Sequence, residues 1–259
     1  MSYQHILYDV KDHVATLTFN RPDRLNATNW PMRFEIADAV RRTEADDDVR
    51  VLVVTGAGRA FCAGMDVKAK AEGGNETPAE MRMDGHPVAR AFFALEKPAI
   101  AAVNGVAVGA GFEMAVLCDF RFAAQGARMG DLHVQRNLVP DLAAPWTLPR
   151  IVGWSRAAEL ILGGDFVAAE EALQMGLVNR VLPPDQLMAA TYQYAAKLAR
   201  NAPMAMRLCK RMMRRAQAPT PEDCLHLGIM LDGYLMHMED FKEALSALGE
   251  KRPPRFAGR

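Results

Sequence analysis

The run Val49-Arg-Val-Leu-Val-Val54 limits the fold more than any other stretch of the chain. It is rich in β-branched residues and lacks strict apolar–polar alternation, which is the pattern of a strand buried on both faces inside a parallel sheet. Thr55-Gly-Ala-Gly58 ends it, and Asp46-Asp-Asp48 separates it from a helical pattern over residues 30–45. The same order recurs in Ala99-Ile-Ala-Ala-Val103, which leads through Asn104-Gly105 into a glycine-bearing segment and then Asp119-Phe-Arg-Phe-Ala-Ala124. Strands alternating with helices predict an α/β core.

Ahead of this core, Ile6-Leu-Tyr-Asp-Val10 and Val14-Ala-Thr-Leu-Thr-Phe19 flank Lys11-Asp12-His13 and predict an antiparallel hairpin. Beyond residue 155 the pattern turns helical, with one helix from Ser155 and another from Val167; Leu177-Val-Asn-Arg-Val-Leu182 is expected as the last strand. Residues 186–248 read as helices broken near Asn201-Ala-Pro203 and Pro219-Thr-Pro221, without a Gly/Ser linker. The expected organisation is an α/β core over residues 1–185 and a helical C-terminal subdomain over 186–259.

Thirty-one basic residues balance 31 acidic ones, so no global field recruits nucleic acid or an acidic membrane surface, and an anionic ligand must meet a local cluster. Four scattered cysteines without a Cys-x-x-Cys pair point away from a disulfide framework and from a metal site. With no signal-type N-terminus and no 18-residue apolar run, the chain is expected to be soluble and cytoplasmic. The basic stretch Met204-Ala-Met-Arg-Leu-Cys-Lys-Arg-Met-Met-Arg-Arg215 reads as a packed helix with a solvated basic face in preference to an RNA or membrane surface.

Two glycine-rich segments carry the candidate chemistry. Asn104-Gly-Val-Ala-Val-Gly-Ala-Gly111 is not a dinucleotide fingerprint, because Met114 stands where the third glycine belongs. Its mechanical reading is a strand, a turn and a helix starting near Gly109, whose first N–H groups lack intrahelical partners and suit an oxyanion. Glu113 then falls in the first turn, where the helix dipole favours its charged form; it is either a decorated helix start or a proton-transfer group. Ala63-Gly64-Met65 is either a tight left-handed turn or a loop bringing a second N–H to a ligand, with Asp66 capping the next segment and Lys68 and Lys70 supplying charge.

Together these segments resemble the crotonase, or enoyl-CoA hydratase/isomerase, superfamily. Asn20-Arg-Pro-Asp-Arg-Leu-Asn-Ala27 is similar to its N-terminal signature, Ala60-Phe-Cys-Ala-Gly-Met-Asp-Val67 to its first oxyanion loop, and Ala102-Val-Asn-Gly-Val-Ala-Val-Gly-Ala-Gly-Phe-Glu113 to its second. Glu239-Asp-Phe-Lys-Glu243 and Glu250-Lys-Arg-Pro-Pro-Arg-Phe256 also look familial. The resemblance implies a spiral core of ββα repeats, a homotrimer or homohexamer, and an acyl-CoA substrate with no other cofactor, coenzyme A being part of the substrate. It implies that the thioester oxygen is held by the Met65 and Ala110 amides, with Ala63, Asp66, Val67 and Gly109 lining the substrate site. Arg24, Lys68, Lys242 and Lys251 are the candidates for the phosphates of coenzyme A.

Two positions depart from the hydratase pattern. His133 stands where hydratases carry a second glutamate, and either takes part in proton transfer or is structural. Asp141, in Asn137-Leu-Val-Pro-Asp141, stands where they have glycine and resembles the superfamily's dienoyl-CoA and ring-opening isomerases and its aryl-CoA dehalogenases. Dehalogenation is set aside, since it requires Asp141 as a nucleophile and a helper histidine, for which His86 lies too far upstream in register. The expected function is therefore a hydratase/isomerase acting on the carbon–carbon double bond of an acyl-CoA through an oxyanion-stabilised enolate, with Glu113, Asp141 and His133 as catalytic groups. The alternatives are a double-bond isomerase lacking hydratase activity and a non-catalytic acyl-CoA or RNA-binding member.

Overall fold

A computed structural model describes residues 3–66, 86–215 and 221–259. The hairpin forms as expected: β1 (Ile6–Lys11) pairs antiparallel with β2 (Val14–Phe19). Helix α1 (Trp30–Ala45) begins where the Asn29 side chain accepts the Met32 N–H at 3.1 Å, satisfying one of the donors a helix N-terminus leaves open.

Three strand pairs come next in the chain. β3 (Val51–Gly56) leads into β4 (Ala60–Cys62); after α2 (Pro87–Ala94), β5 (Ala99–Val103) leads into β6 (Val106–Val108); after α3 (Ala110–Leu117), β7 (Phe120–Ala124) leads into β8 (Arg128–Gly130). The first member of each pair joins one sheet that ends on β10 (Arg180–Leu182), in the order β1-β2-β3-β5-β7-β10, parallel from β2 onward. The second members form a sheet β4-β6-β8-β9, parallel except for β9 (Val167–Ala168). Each turn of the chain thus adds one rung to two sheets at once, giving the expected spiral of ββα repeats.

Every residue of β3 is buried, as its run of valines requires. Leu52 and Val54 face the main core with Phe19, Phe61 and Phe112, while Val51 and Val53 face Ile100, Ala195 and Ala199. The last two belong to α7 (Leu187–Ala199), so the helix just after β10 (Arg180–Leu182) covers the far side of the sheet. Burying each of the large apolar side chains contributes roughly 1.5–3 kcal/mol.

Three short helices lie between β8 and β10: α4 (Ala144–Val152), α5 (Trp154–Ala158), which widens into a π turn over Glu159–Gly163, and α6 (Ala169–Gln174). The expected helix from Val167 starts two residues later, because Val167 and Ala168 are drawn into pairing with β8. The C-terminal helices are α8 (Pro203–Arg215), α9 (Pro221–Leu235) and α10 (Glu239–Glu250).

Four basic side chains of α8 are engaged within the chain. Arg207 pairs with Glu44 and Glu96, Lys210 lies 2.6 Å from Asp119, Arg211 pairs with Glu96, and Arg214 donates to the carbonyls of Phe92, Phe93 and Leu95. A stretch that reads as a solvated basic face is in fact a set of ties between α8 and the core. Among the described residues, no helix is long and apolar enough to cross a membrane.

Candidate active site

The two glycine-rich segments leave the ends of neighbouring parallel strands, β4 and β6, and are therefore adjacent. Two glycines let them approach: a Cβ on Gly64 would stand 2.8 Å from the Val108 carbonyl oxygen, and one on Gly111 only 2.2 Å from that of Cys62. Gly64 also has φ of +86° and Gly109 of +52°, backbone regions that other residues enter at a cost.

Asn26 braces the first segment. Its side chain accepts the Arg21 N–H at 2.9 Å and donates to the carbonyls of Ala57 and Ala60 at 2.9 and 2.8 Å. Asn104 does the same from the other side, donating to Gly56 and Gly58. Both asparagines stand in the sequence signatures without an evident task; a polar amide beside a Gly-rich loop is the signal that could have found them.

Thr28 N–H donates to the Gly64 carbonyl at 2.7 Å and Thr28 O accepts the Asp66 N–H at 2.9 Å, which clamps Met65 between them. The Met65 N–H has no hydrogen-bond partner among the described residues, and neither has that of Ala110, the first residue of α3. The Ala63 N–H, by contrast, is bonded to the Leu25 carbonyl at 3.0 Å. The Asp66 carboxylate pairs with Arg21 at 2.9 Å.

Glu113 is 1% exposed, on a helix with every residue buried. Its carboxylate accepts three backbone N–H groups at the start of α4: Asp141 at 3.2 Å, Leu142 at 2.9 Å and Ala144 at 3.1 Å. Burial nevertheless pushes its pKa up to about 8, and the charge of Asp141 pushes the same way, against the Ala144 hydrogen bond. The helix dipole alone would favour the charged form; desolvation prevails because the group sits in an apolar helix away from water.

His133 lies over Gly109, its Nε2 4.0 Å from Glu113 Oε2 and its Nδ1 donating to Asp131 at 2.5 Å. Burial lowers its pKa, but the Asp131 hydrogen bond and charge, with the charges of Glu113 and Asp141, outweigh burial and raise it above its ordinary value. One ligating atom each from Glu113, His133 and Asp141 lies within 4.8 Å of the others. A divalent cation there would meet the positive ends of the three N–H groups aimed at Glu113, so the cluster is better built for protons than for a metal.

The three side chains singled out as catalytic are thus brought together from α3, from the turn after β8 and from the entry to α4. Arg24 is exposed in the short turn at Pro22–Arg24, next to the Leu25 carbonyl that holds Ala63. Lys242 and Lys251 are exposed on and just beyond α10, and no hydrogen bond among the described residues ties either to the Glu113 cluster. Val67 and Lys68 fall outside the described residues.

His86 caps α2, accepting the Val88 N–H, and the charge of Asp141 acts on it.

The family profile described as enoyl-CoA hydratase/isomerase matches residues 9–259. A probable enoyl-CoA hydratase of Rhodobacter capsulatus is 37% identical over 100% of both chains. The 1,2-epoxyphenylacetyl-CoA isomerase of Escherichia coli is 35% identical over 99% of both. The crystal structure of an enoyl-CoA hydratase from Bacillus anthracis superposes with a TM-score of 0.91 at 31% identity, covering 99% of this chain and 100% of that one. With the spiral of strand pairs, the two abutting glycine loops and a match over nearly its whole length, the chain belongs to the enoyl-CoA hydratase/isomerase family.

Proposed function

We propose that the protein isomerises the double bond of an enoyl-CoA thioester, with Asp141 as base and Glu113 as acid. The observation that carries this is the Glu113–Asp141 pair: two carboxyl groups in one site, with the Glu113 pKa pushed up to about 8 by burial first and by the charge of Asp141 second. Below its pKa Glu113 has a proton to give, and Asp141 supplies the second carboxyl group that moving a proton from one carbon to another needs.

The N–H groups of Met65 and Ala110 serve as the oxyanion hole. As Asp141 removes a proton from the acyl chain, negative charge moves onto the thioester oxygen, where two fixed donors bind it more strongly than they bind the neutral carbonyl. Glu113 then delivers its proton to a second carbon, so one C–H bond breaks, one forms, and the double bond shifts between them. Before the next turnover, Asp141 must lose the proton it gained and Glu113 must recover one.

Hydration is the second reading, favoured by the Asp131–His133 pair at 2.5 Å, which orients an imidazole toward Glu113 and offers it a further proton-transfer partner. Incubation with a 3-enoyl-CoA and with crotonyl-CoA separates the two. Formation of the 2-enoyl product from the first supports isomerisation. Accumulation of a 3-hydroxyacyl product from the second, with no isomerisation of the first, sinks it.

Coenzyme A enters as part of the substrate, and Arg24, Lys68, Lys242 and Lys251 are proposed to meet its phosphates. Exposed Ile229, Met230 and Tyr234 on α9, with Leu245 and Leu248 on α10, support assembly into trimers or hexamers. Substrate turnover and assembly are assigned to the cytoplasm.

A further inference from the structure

Arg33 is 5% exposed, one turn into α1. Its Nε donates to Thr28 Oγ1 at 3.1 Å, and Thr28 is the residue that clamps Met65. Its guanidinium lies 4.6 Å from the centre of the Trp30 ring. No carboxylate among the described residues comes within ion-pairing distance of it, and its two terminal nitrogens bond no described residue, although the charge of Asp141 acts on it. A buried cation left this way is costly unless something meets it.

His86 also packs against this tryptophan, with ring centres 5.6 Å apart. Its Nδ1 accepts the Val88 N–H at 3.3 Å, which leaves the proton on Nε2 when the ring is neutral, and burial lowers its pKa to about 4. That Nε2 is buried and has no partner among the described residues. Two donor groups without a partner among the described residues, the Arg33 fork and the buried His86 N–H, therefore meet one indole, and the charge of Asp141 reaches both.

We infer that Arg33 and His86 form a carboxylate-binding subsite, so that the preferred acyl group carries a second, distal carboxylate. The guanidinium fork matches a carboxylate in two parallel hydrogen bonds, and the neutral His86 N–H supplies a third donor without adding charge. A methyl-terminated chain would leave all of these donors unpaired, which is how a polar site rejects an apolar analogue. This selectivity rests on the acyl-CoA reading of the site and adds to it the chemistry of the acyl group.

Binding of matched saturated thioesters tests the inference without requiring turnover: succinyl-CoA against butyryl-CoA, glutaryl-CoA against valeryl-CoA and adipoyl-CoA against hexanoyl-CoA, by calorimetry. In at least one pair the carboxylated ligand is expected to bind about tenfold tighter or better. Arg33→Met, which keeps an unbranched side chain in the space, is expected to abolish that preference while leaving the methyl-terminated ligand within about threefold. His86→Asn, which keeps an acceptor for Val88 N–H, is expected to reduce the preference in part, and melting curves of both variants establish that they fold.

Equal affinities within every pair for the native protein, or an undiminished preference in folded Arg33→Met, would overturn the subsite while leaving the acyl-CoA reading intact. Failure of every thioester to bind would overturn both.

Discussion

The backbone N–H of Asp141 donates to the Glu113 carboxylate at 3.2 Å, while the side-chain charge of the same residue raises the Glu113 pKa. One residue thus meets the proposed acid through its main chain and raises its pKa through its side chain. Burial of Glu113 is the larger cause of the shift, so the proton remains available at neutral pH even though the Ala144 N–H favours its loss.

Activity should therefore fall on the alkaline side. An acid with a pKa of about 8 is protonated below that value, so kcat/KM for isomerisation should lose its Glu113-dependent part as pH rises through about 8. A profile that instead rises through the same range would make Glu113 the base.

Glu113→Gln should cost roughly 10²–10⁴-fold in kcat/KM. The fold should survive, because the Gln carbonyl oxygen still accepts N–H groups at the start of α4. Stability carries a sign of its own: a carboxyl raised from an ordinary 4.5 to about 8 binds more protons folded than unfolded, so its contribution declines as pH rises between those values. The slope of melting temperature against pH in that window should be flatter in the variant.

Asp141→Asn removes the proposed base and also one of the influences that raise the Glu113 pKa. Residual activity should be low, and its alkaline limb should move below 8. An unmoved limb would mean that the two carboxyl groups do not sense each other.

Gly109→Ala tests the oxyanion loop. The added Cβ meets His133 Cε1 at 3.5 Å, an ordinary contact, so the strain comes from holding a φ of +52°. The variant should lose about 1–2 kcal/mol of stability, measured by denaturant unfolding, and kcat should fall more than KM rises as the Ala110 N–H is displaced.

Much of this arrangement is visible in the chain as written. The valines of β3 reveal a doubly covered strand, and Gly109 with Glu113 in the first turn of a helix reveals a donor with an acid behind it. The rest depends on contacts between distant segments. Nothing near Glu113 in sequence says that Asp141, Leu142 and Ala144 will aim three N–H groups at it, and desolvation, which overrides the helix dipole, exists only once the core closes. Arg33 looks like one more charge in a helix of mixed polarity, and His86 looks remote; Trp30 brings them together. Arg207 and Arg211 of α8 look solvated until Glu44 and Glu96 are placed beside them.

The division of labour between the two carboxyl groups is tested most directly by proton NMR of butyryl-CoA in deuterated water, which follows exchange at the carbon next to the thioester without requiring a double bond. The native protein and Glu113→Gln should both exchange those protons, since both keep the proposed base Asp141 and the proposed Met65 and Ala110 donors for the enolate, while Asp141→Asn should not. No exchange by the native protein, or undiminished exchange by folded Asp141→Asn, would contradict the assignment.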